Sequence, residues 1–253
     1  MDPIATEIVN WLRQRLAMAG ARGFVVGVSG GLDSAVVVRL CQLAAPEQVA
    51  AAILPCGSDP GDEVDARVIA DHFKLPTLHV DLERAYNALV ASTRSGLDSL
   101  PREMVPAATS DAAAPMTLAN VKPRLRMTTL YFIASSLNYL VAGTGNKSEL
   151  TIGYFTKYGD GGVDLLPIGH LLKGQVKRLA KALDVPQAIL DKAPSAGLWP
   201  GQTDEDEMGV SYSDLERYLT DGPEGVSPAV ALRLERLIRS TEHKRALPPT
   251  MES

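Results

Sequence analysis

From its start to about residue 93 the chain alternates short apolar runs with amphipathic stretches. Ile4, Ile8, Trp11, Leu12 and Leu16 recur at helical spacing and predict a helix over 3–19. Phe24-Val25-Val26-Gly27-Val28 is short, apolar and β-branched, as a strand buried on both faces is. A helix over 34–45, a strand over 49–54 ending at Pro55, a helix over 62–73, a strand over 77–81 and a helix over 83–93 follow. This rhythm predicts βαβ units and a parallel sheet. Residues 94–119 carry Ser, Pro, Ala and Asp without a period and read as a mobile loop or loosely packed insertion. Helix returns over 120–138, with Asn120 as its cap and Pro123 in a first turn that has no hydrogen bond to lose. A fourth strand over 139–142, a short fifth element near 163–166, and helices near 172–183, 187–192, 212–219 and 228–242 complete one domain over 1–253. The segment 196–210, with Trp199 and a run of acids, reads as a second mobile loop.

Composition narrows the class without naming it. With 253 residues, 45% hydrophobic and 22% charged, the chain can bury a sizeable core. A net charge of −5 argues against general nucleic-acid binding, and no apolar stretch is long enough to cross a membrane. The N-terminus lacks the basic start and apolar run of a secretory signal. Cys41 and Cys56, the only cysteines, read as buried small hydrophobes in a reducing, cytoplasmic setting.

The most informative residues are Ser29-Gly30-Gly31-Leu32-Asp33-Ser34, between the strand at 24–28 and the helix that follows. A strand running through a Ser/Gly turn into a helix N-terminus aims backbone N–H groups at one point, which suits a phosphate. Gly30 and Gly31 let an anion approach the backbone, and Ser29 and Ser34 add hydroxyls. Asp33 would repel a bare phosphate, so it reads as a ligand of magnesium lying between the two. The glycine spacing fits neither a Walker A loop nor a dinucleotide fingerprint. It resembles the pyrophosphate loop of the N-type ATP pyrophosphatases, which cleave ATP between the α- and β-phosphates to form an adenylate.

A second cluster follows the fourth strand: Gly143-Thr144-Gly145-Asn146-Lys147-Ser148-Glu149, then Phe155 through Pro167. In a doubly wound sheet the C-terminal ends of neighbouring strands open on one crevice. Glu149 is thus placed to complete a cation site with Asp33, and Thr144 to touch the nucleotide. Lys157 and Asp164 carry opposite charges across a Gly-rich turn. His72, His79, His170 and His243 form no triad with a Ser or Cys, so no covalent nucleophile is expected.

Ser29–Ser34, Asn120 with Arg124-Leu125-Arg126-Met127, Gly143–Glu149, Phe155–Pro167, Lys192-Ala193-Pro194-Ser195 and Glu242-His243-Lys244-Arg245 together resemble ammonia-dependent NAD synthetase over nearly the whole chain. The run Phe155-Thr156-Lys157-Tyr158-Gly159-Asp160-Gly161-Gly162 is the most specific piece. The resemblance implies an α/β fold with a doubly wound, five-stranded parallel sheet flanked by helices, as in the adenine nucleotide α-hydrolases. It implies a homodimer with deamido-NAD at the subunit interface. It implies ATP contacts from Gly27, Val28, Ser29, Gly30, Gly31, Leu32, Asp33 and Ser34, and from Thr144, Lys173 and Ser195; Mg2+ on Asp33 and Glu149; and deamido-NAD contacts from Arg124, Lys157, Asp164, His243 and Lys244. Asp33, Glu149 and Lys173 would carry catalysis, with ammonia as the nitrogen donor and neither nucleic acid nor membrane as a partner. Pro123 stands where the family often has Ala, and Ser195 where many members have Thr. Lys147 lies in a variant of the family motif and is open to two readings, a phosphate contact or a solvated side chain. A GMP synthetase-like or tRNA thiolase-like enzyme, or a non-catalytic adenine-nucleotide sensor, is the competing expectation.

Overall fold

A computed structural model of the chain describes residues 2–104, 114–195 and 203–251. Four strands form one parallel sheet: β1 (Gly23–Gly27), β2 (Val49–Ile53), β3 (Thr77–His79) and β4 (Tyr139–Val141), in the order β3-β2-β1-β4. Helices α1 (Pro3–Ala19), α2 (Leu32–Ala44), α3 (Pro60–His72) and α4 (Glu83–Leu97) accompany the first three strands. Then come α5 (Ala114–Ala119), α6 (Val121–Leu137), α7 (Lys147–Ile152), α8 (Lys173–Ala182) and α9 (Gln187–Leu190). The described chain ends with α10 (Asp204–Met208), α11 (Tyr212–Asp221), α12 (Pro228–Ser240) and α13 (Glu242–Arg245).

Side-chain alternation along the strands builds a core on each face of the sheet. Phe24, Val26, Val49, Ala51 and Ile53 pack with Leu12 of α1 and Val36 and Leu40 of α2. Val25, Ala50, Ala52 and Val141 face the other way, against Ile133 and Ala134 of α6. A third cluster joins Ile152, Met208, Tyr212, Leu215 and Leu234 of the C-terminal helices. Because β1 is flanked by β2 on one side and β4 on the other, its C-terminal end is the switch point where an α/β sheet opens a crevice.

The expected fifth strand is corrected. Near 163–166 a single parallel bridge, Ala142 with Leu165, is all that pairs, so the sheet has four strands among the described residues. The Gly-rich turn delivers the chain to β4 only at Asp164, and Pro167 then brings a residue with no N–H to donate. Asn120 does not cap α6 either: its Oδ1 accepts from the Thr156 hydroxyl at 2.8 Å. In the two segments read as loops, α4 runs on to Leu97, α5 takes up 114–119, and α10 takes up 204–208 with Met208 buried. Trp199 and the rest of 196–202 lie outside the described residues. Cys41 and Cys56 are buried free thiols, and burial pushes both up from the ordinary thiol range.

Candidate functional site

The phosphate loop is held by its own side chains. Ser34 donates to the Gly31 carbonyl at 2.9 Å and accepts from the Ser29 backbone N–H and hydroxyl, each at 3.3 Å. Both hydroxyls thus shape the loop. No side chain caps α2, so the N–H groups of its first turn remain available to an anion, backed by the helix dipole. Gly30 serves packing more than ligand access. Its φ is +81°, and a Cβ there would lie 2.4 Å from the Asp62 carbonyl oxygen of α3.

Asp33, in the first turn of α2, meets α7 and α8 across the crevice. Asn146 and Glu149 form a capping box at the start of α7: Asn146 accepts from the Glu149 N–H at 3.1 Å, and Glu149 accepts from the Asn146 N–H at 3.2 Å. That geometry turns the other Glu149 oxygen toward Lys173 Nζ, 3.3 Å away. Lys173 also pairs closely with Asp33 Oδ2, so its ammonium sits between the two carboxylates and 5.2 Å from the centroid of the Tyr212 ring. Tyr212 donates to Asp204 at 2.9 Å and reaches Glu149 at 3.4 Å. Burial alone would lower the Lys173 pKa, but Asp33 and Glu149 outweigh it and hold the ammonium charged. Burial, and then Asp33, pushes the Glu149 carboxyl up to about 7.

Asp33, Glu149, Lys173 and Asp204 line a cavity of about 570 Å³ at the C-terminal ends of β1, β2 and β4. Of the expected ATP residues, all but Gly30 line it: the rest of Gly27–Ser34, together with Thr144, Lys173 and Ser195. Of the expected deamido-NAD residues, only Lys244 does. Its Nζ donates to the Gly153 and Phe155 carbonyls, both at 2.7 Å. Lys157 and Asp164 do not pair with each other. Lys157 donates to the His243 carbonyl, while Asp164 accepts from Val141 N–H at 2.8 Å and Tyr131 OH at 3.0 Å. Arg124 and His243 are exposed, and so is Lys147, which does not line the cavity.

Residues that the sequence pattern did not single out fill the remaining wall. Arg126 donates to the Leu54 carbonyl at 3.0 Å and to Ser58 at 2.7 Å, and faces the cavity where Arg124 does not. Two residues of helical rotation separate them by more than half a turn. Asp204, buried with Oδ1 unpartnered, Glu207, Asp62 and Lys192 also line the cavity. The family motif held Arg126 and Lys192 without marking a role for either.

The donor set suits a hard divalent cation in part. Asp33 Oδ1 is buried without a hydrogen-bond partner, beside a second carboxylate on Glu149. Among the described residues no group of three His, Cys, Asp or Glu side chains is placed to hold a metal ion by itself. Two carboxylates completed by substrate phosphates and water is the usual arrangement for Mg2+.

Comparison with known proteins places the chain. The NAD synthase family profile matches residues 4–248. An NH3-dependent NAD+ synthetase of Carboxydothermus hydrogenoformans is 51% identical over 242 residues, covering 96% of this chain and 94% of that one. Among solved structures, an NMN synthetase from Francisella tularensis superposes with a TM-score of 0.89 at 38% identity, covering 100% of both chains. The NH3-dependent NAD synthetase from Campylobacter jejuni, in complex with nitrate, superposes at 0.77 and 27% identity, again covering 100% of both. A phosphate loop at the switch point, two carboxylates about a lysine, and these likenesses over nearly the whole chain lead to one conclusion: the chain belongs to the NAD synthase family.

Proposed function

We propose that the chain uses ATP and ammonia to amidate deamido-NAD, giving NAD, AMP and pyrophosphate. The observation that carries this reading is the convergence of the phosphate loop, Asp33, Glu149 and Lys173 on one cavity. A carboxylate is a poor electrophile because its leaving group would be oxide. Attack of the nicotinate carboxylate on the α-phosphate releases pyrophosphate and leaves an acyl adenylate. Ammonia then adds to the acyl carbon, AMP leaves with the bonding electrons, and one proton is lost. The N–H groups of the α2 first turn and Lys173 would stabilise the departing pyrophosphate, and no side chain need form a covalent bond. Asp33 and Glu149 would hold Mg2+, which when bound neutralises phosphate charge. Thr144 and Ser195 are proposed to touch ATP.

The exposed positions of Arg124 and His243, with Lys157 half-buried beside them and outside the cavity wall, fit an acceptor lying partly outside this cavity, between two copies of the chain. A homodimer is therefore part of the proposal. A second reading has support of its own. The NMN synthetase superposes with a higher TM-score than the C. jejuni NAD synthetase, so a mononucleotide acceptor, nicotinic acid mononucleotide, is a direct competitor.

The test incubates the protein with ATP, Mg2+ and ammonium plus either acceptor and identifies products by mass spectrometry. AMP with NAD as the faster product supports the first reading, and AMP with nicotinamide mononucleotide supports the second. ADP, or unconsumed ATP with both acceptors, overturns both.

A further inference from the structure

Two lysines in the cavity wall are each gripped by a pair of carboxylates. Lys173 belongs to the site already described. Lys192 has no assigned role, yet its Nζ donates to Asp62 Oδ1 at 2.9 Å and to Asp65 Oδ2 at 2.5 Å. Asp62 and Asp65 are three residues apart near the start of α3, so both carboxylates leave one helix face. The phosphate loop presses on the same turn, since a Cβ on Gly30 would lie 2.9 Å from Asp65 Cβ as well as against the Asp62 carbonyl. On the other side of the lysine the chain runs through Ala193 and Pro194 to Ser195, all in the cavity wall. The Pro194 carbonyl accepts the Asp204 N–H at 3.2 Å, and Asp204 reaches Tyr212 and so Glu149.

Ion pairs this accessible stabilise a fold little, and pinning a lysine costs side-chain entropy. What the pairs do fix is distance. We propose that Lys192 is a positioning residue: it ties the segment 193–195 to α3, and through α3 to the phosphate loop, holding two walls of the nucleotide cavity at one spacing. This inference rests on the reading that the cavity takes ATP.

The test is steady-state kinetics with calorimetry on the full-length protein. In Lys192→Met the KM for ATP is expected to rise about tenfold, with kcat within about twofold and the acceptor KM unchanged. The dissociation constant for a non-hydrolysable ATP analogue should rise in parallel. Lys192→Arg keeps the charge and the donors and should restore most of the affinity. An Asp62→Asn, Asp65→Asn double variant should match Lys192→Met, and combining all three should add nothing further, because one network has been cut. An unchanged ATP KM in Lys192→Met, an equal loss toward ATP and acceptor, or additive lysine and aspartate effects would overturn the tie. If the wild type neither binds the analogue nor consumes ATP, the reading of the cavity fails and the tie falls with it, whatever the variants do.

Discussion

Lys173 is the cation that lets Asp33 and Glu149 face each other, all three side chains being largely buried. Removing it in Lys173→Met leaves two inward carboxylates unpaired, a change that costs about 3–5 kcal/mol when a buried pair is broken. Urea unfolding should show that loss, and AMP formation should cease. Asp33→Asn is expected to differ: the amide still accepts from Lys173, so the melting temperature should stay near that of the wild type while adenylation is lost. Near-normal turnover in Asp33→Asn would mean that Asp33 holds no cation. Glu149 supplies a pH signature. Its carboxyl is raised to about 7 from 4.5, so between those values the folded protein keeps a proton that the unfolded chain has released. Stability from this group is greatest below pH 4.5 and is lost as pH rises through 7. Glu149→Gln cannot titrate and still completes the capping box, so its unfolding free energy should fall less between pH 5 and 7.5. Equal slopes in the two proteins would mean that Glu149 is not perturbed. At this scale the loop Ser29–Ser34, all but Gly30 of which lines the cavity, was legible because its residues are contiguous. The resemblance singled out Arg124 and gave Arg126 no role, whereas Arg126 is the one that turns into the cavity, which only the helix register reveals.

Elements followed the apolar pattern wherever both faces of a strand are buried. β1 and β2 came out within a residue or two, because Phe24-Val25-Val26 and Val49 through Ile53 have no polar face to mislead. The fifth strand failed on pairing, a property of two segments that neither sequence carries alone: Val163 to Leu166 makes one bridge, from Leu165 to Ala142 just past the end of β4. The acids of α10 hid a short helix, because its single apolar anchor, Met208, packs with residues distant in sequence, Ile152 and Leu234 among them. Gly30 shows how an element can depend on a missing methyl group. Gly20 caps α1 at φ +60° with nothing within 4 Å of the place a methyl group would take, so Gly20→Ala should cost only the left-handed penalty of about 1–2 kcal/mol. Gly30→Ala adds a clash with α3 to the same penalty. It should melt lower than Gly20→Ala and lose affinity for an ATP analogue, which Gly20→Ala should keep. Matching losses in the two variants would show that the loop and α3 yield to each other freely.

Over the whole molecule, the unbalanced feature is the surface of α4 and α6. None of the 15 residues of α4 is fully buried, although Leu89 and Leu97 are apolar, and Phe132 of α6 is 74% exposed. Arg124, Thr128 and Phe132 recur every four residues, so the exposed ring shares a helix face with the arginine expected to touch the acceptor. A water-facing phenylalanine beside an exposed arginine would gain from a second copy, which would bury the ring and carry the arginine to the edge of the neighbouring cavity. Phe132→Glu places a charge on that face without touching the core. The wild type is expected to sediment as a dimer and the variant as a monomer. Because the phosphate loop, Asp33 and Lys173 lie within one chain, the monomer should still bind an ATP analogue with affinity within about twofold of the wild type. Its KM for the acceptor should rise by about tenfold or more, as the contribution of Arg124 from the other copy is lost. A monomeric wild type with full activity, or a dimeric Phe132→Glu, would place the interface elsewhere and return Arg124 to the solvent.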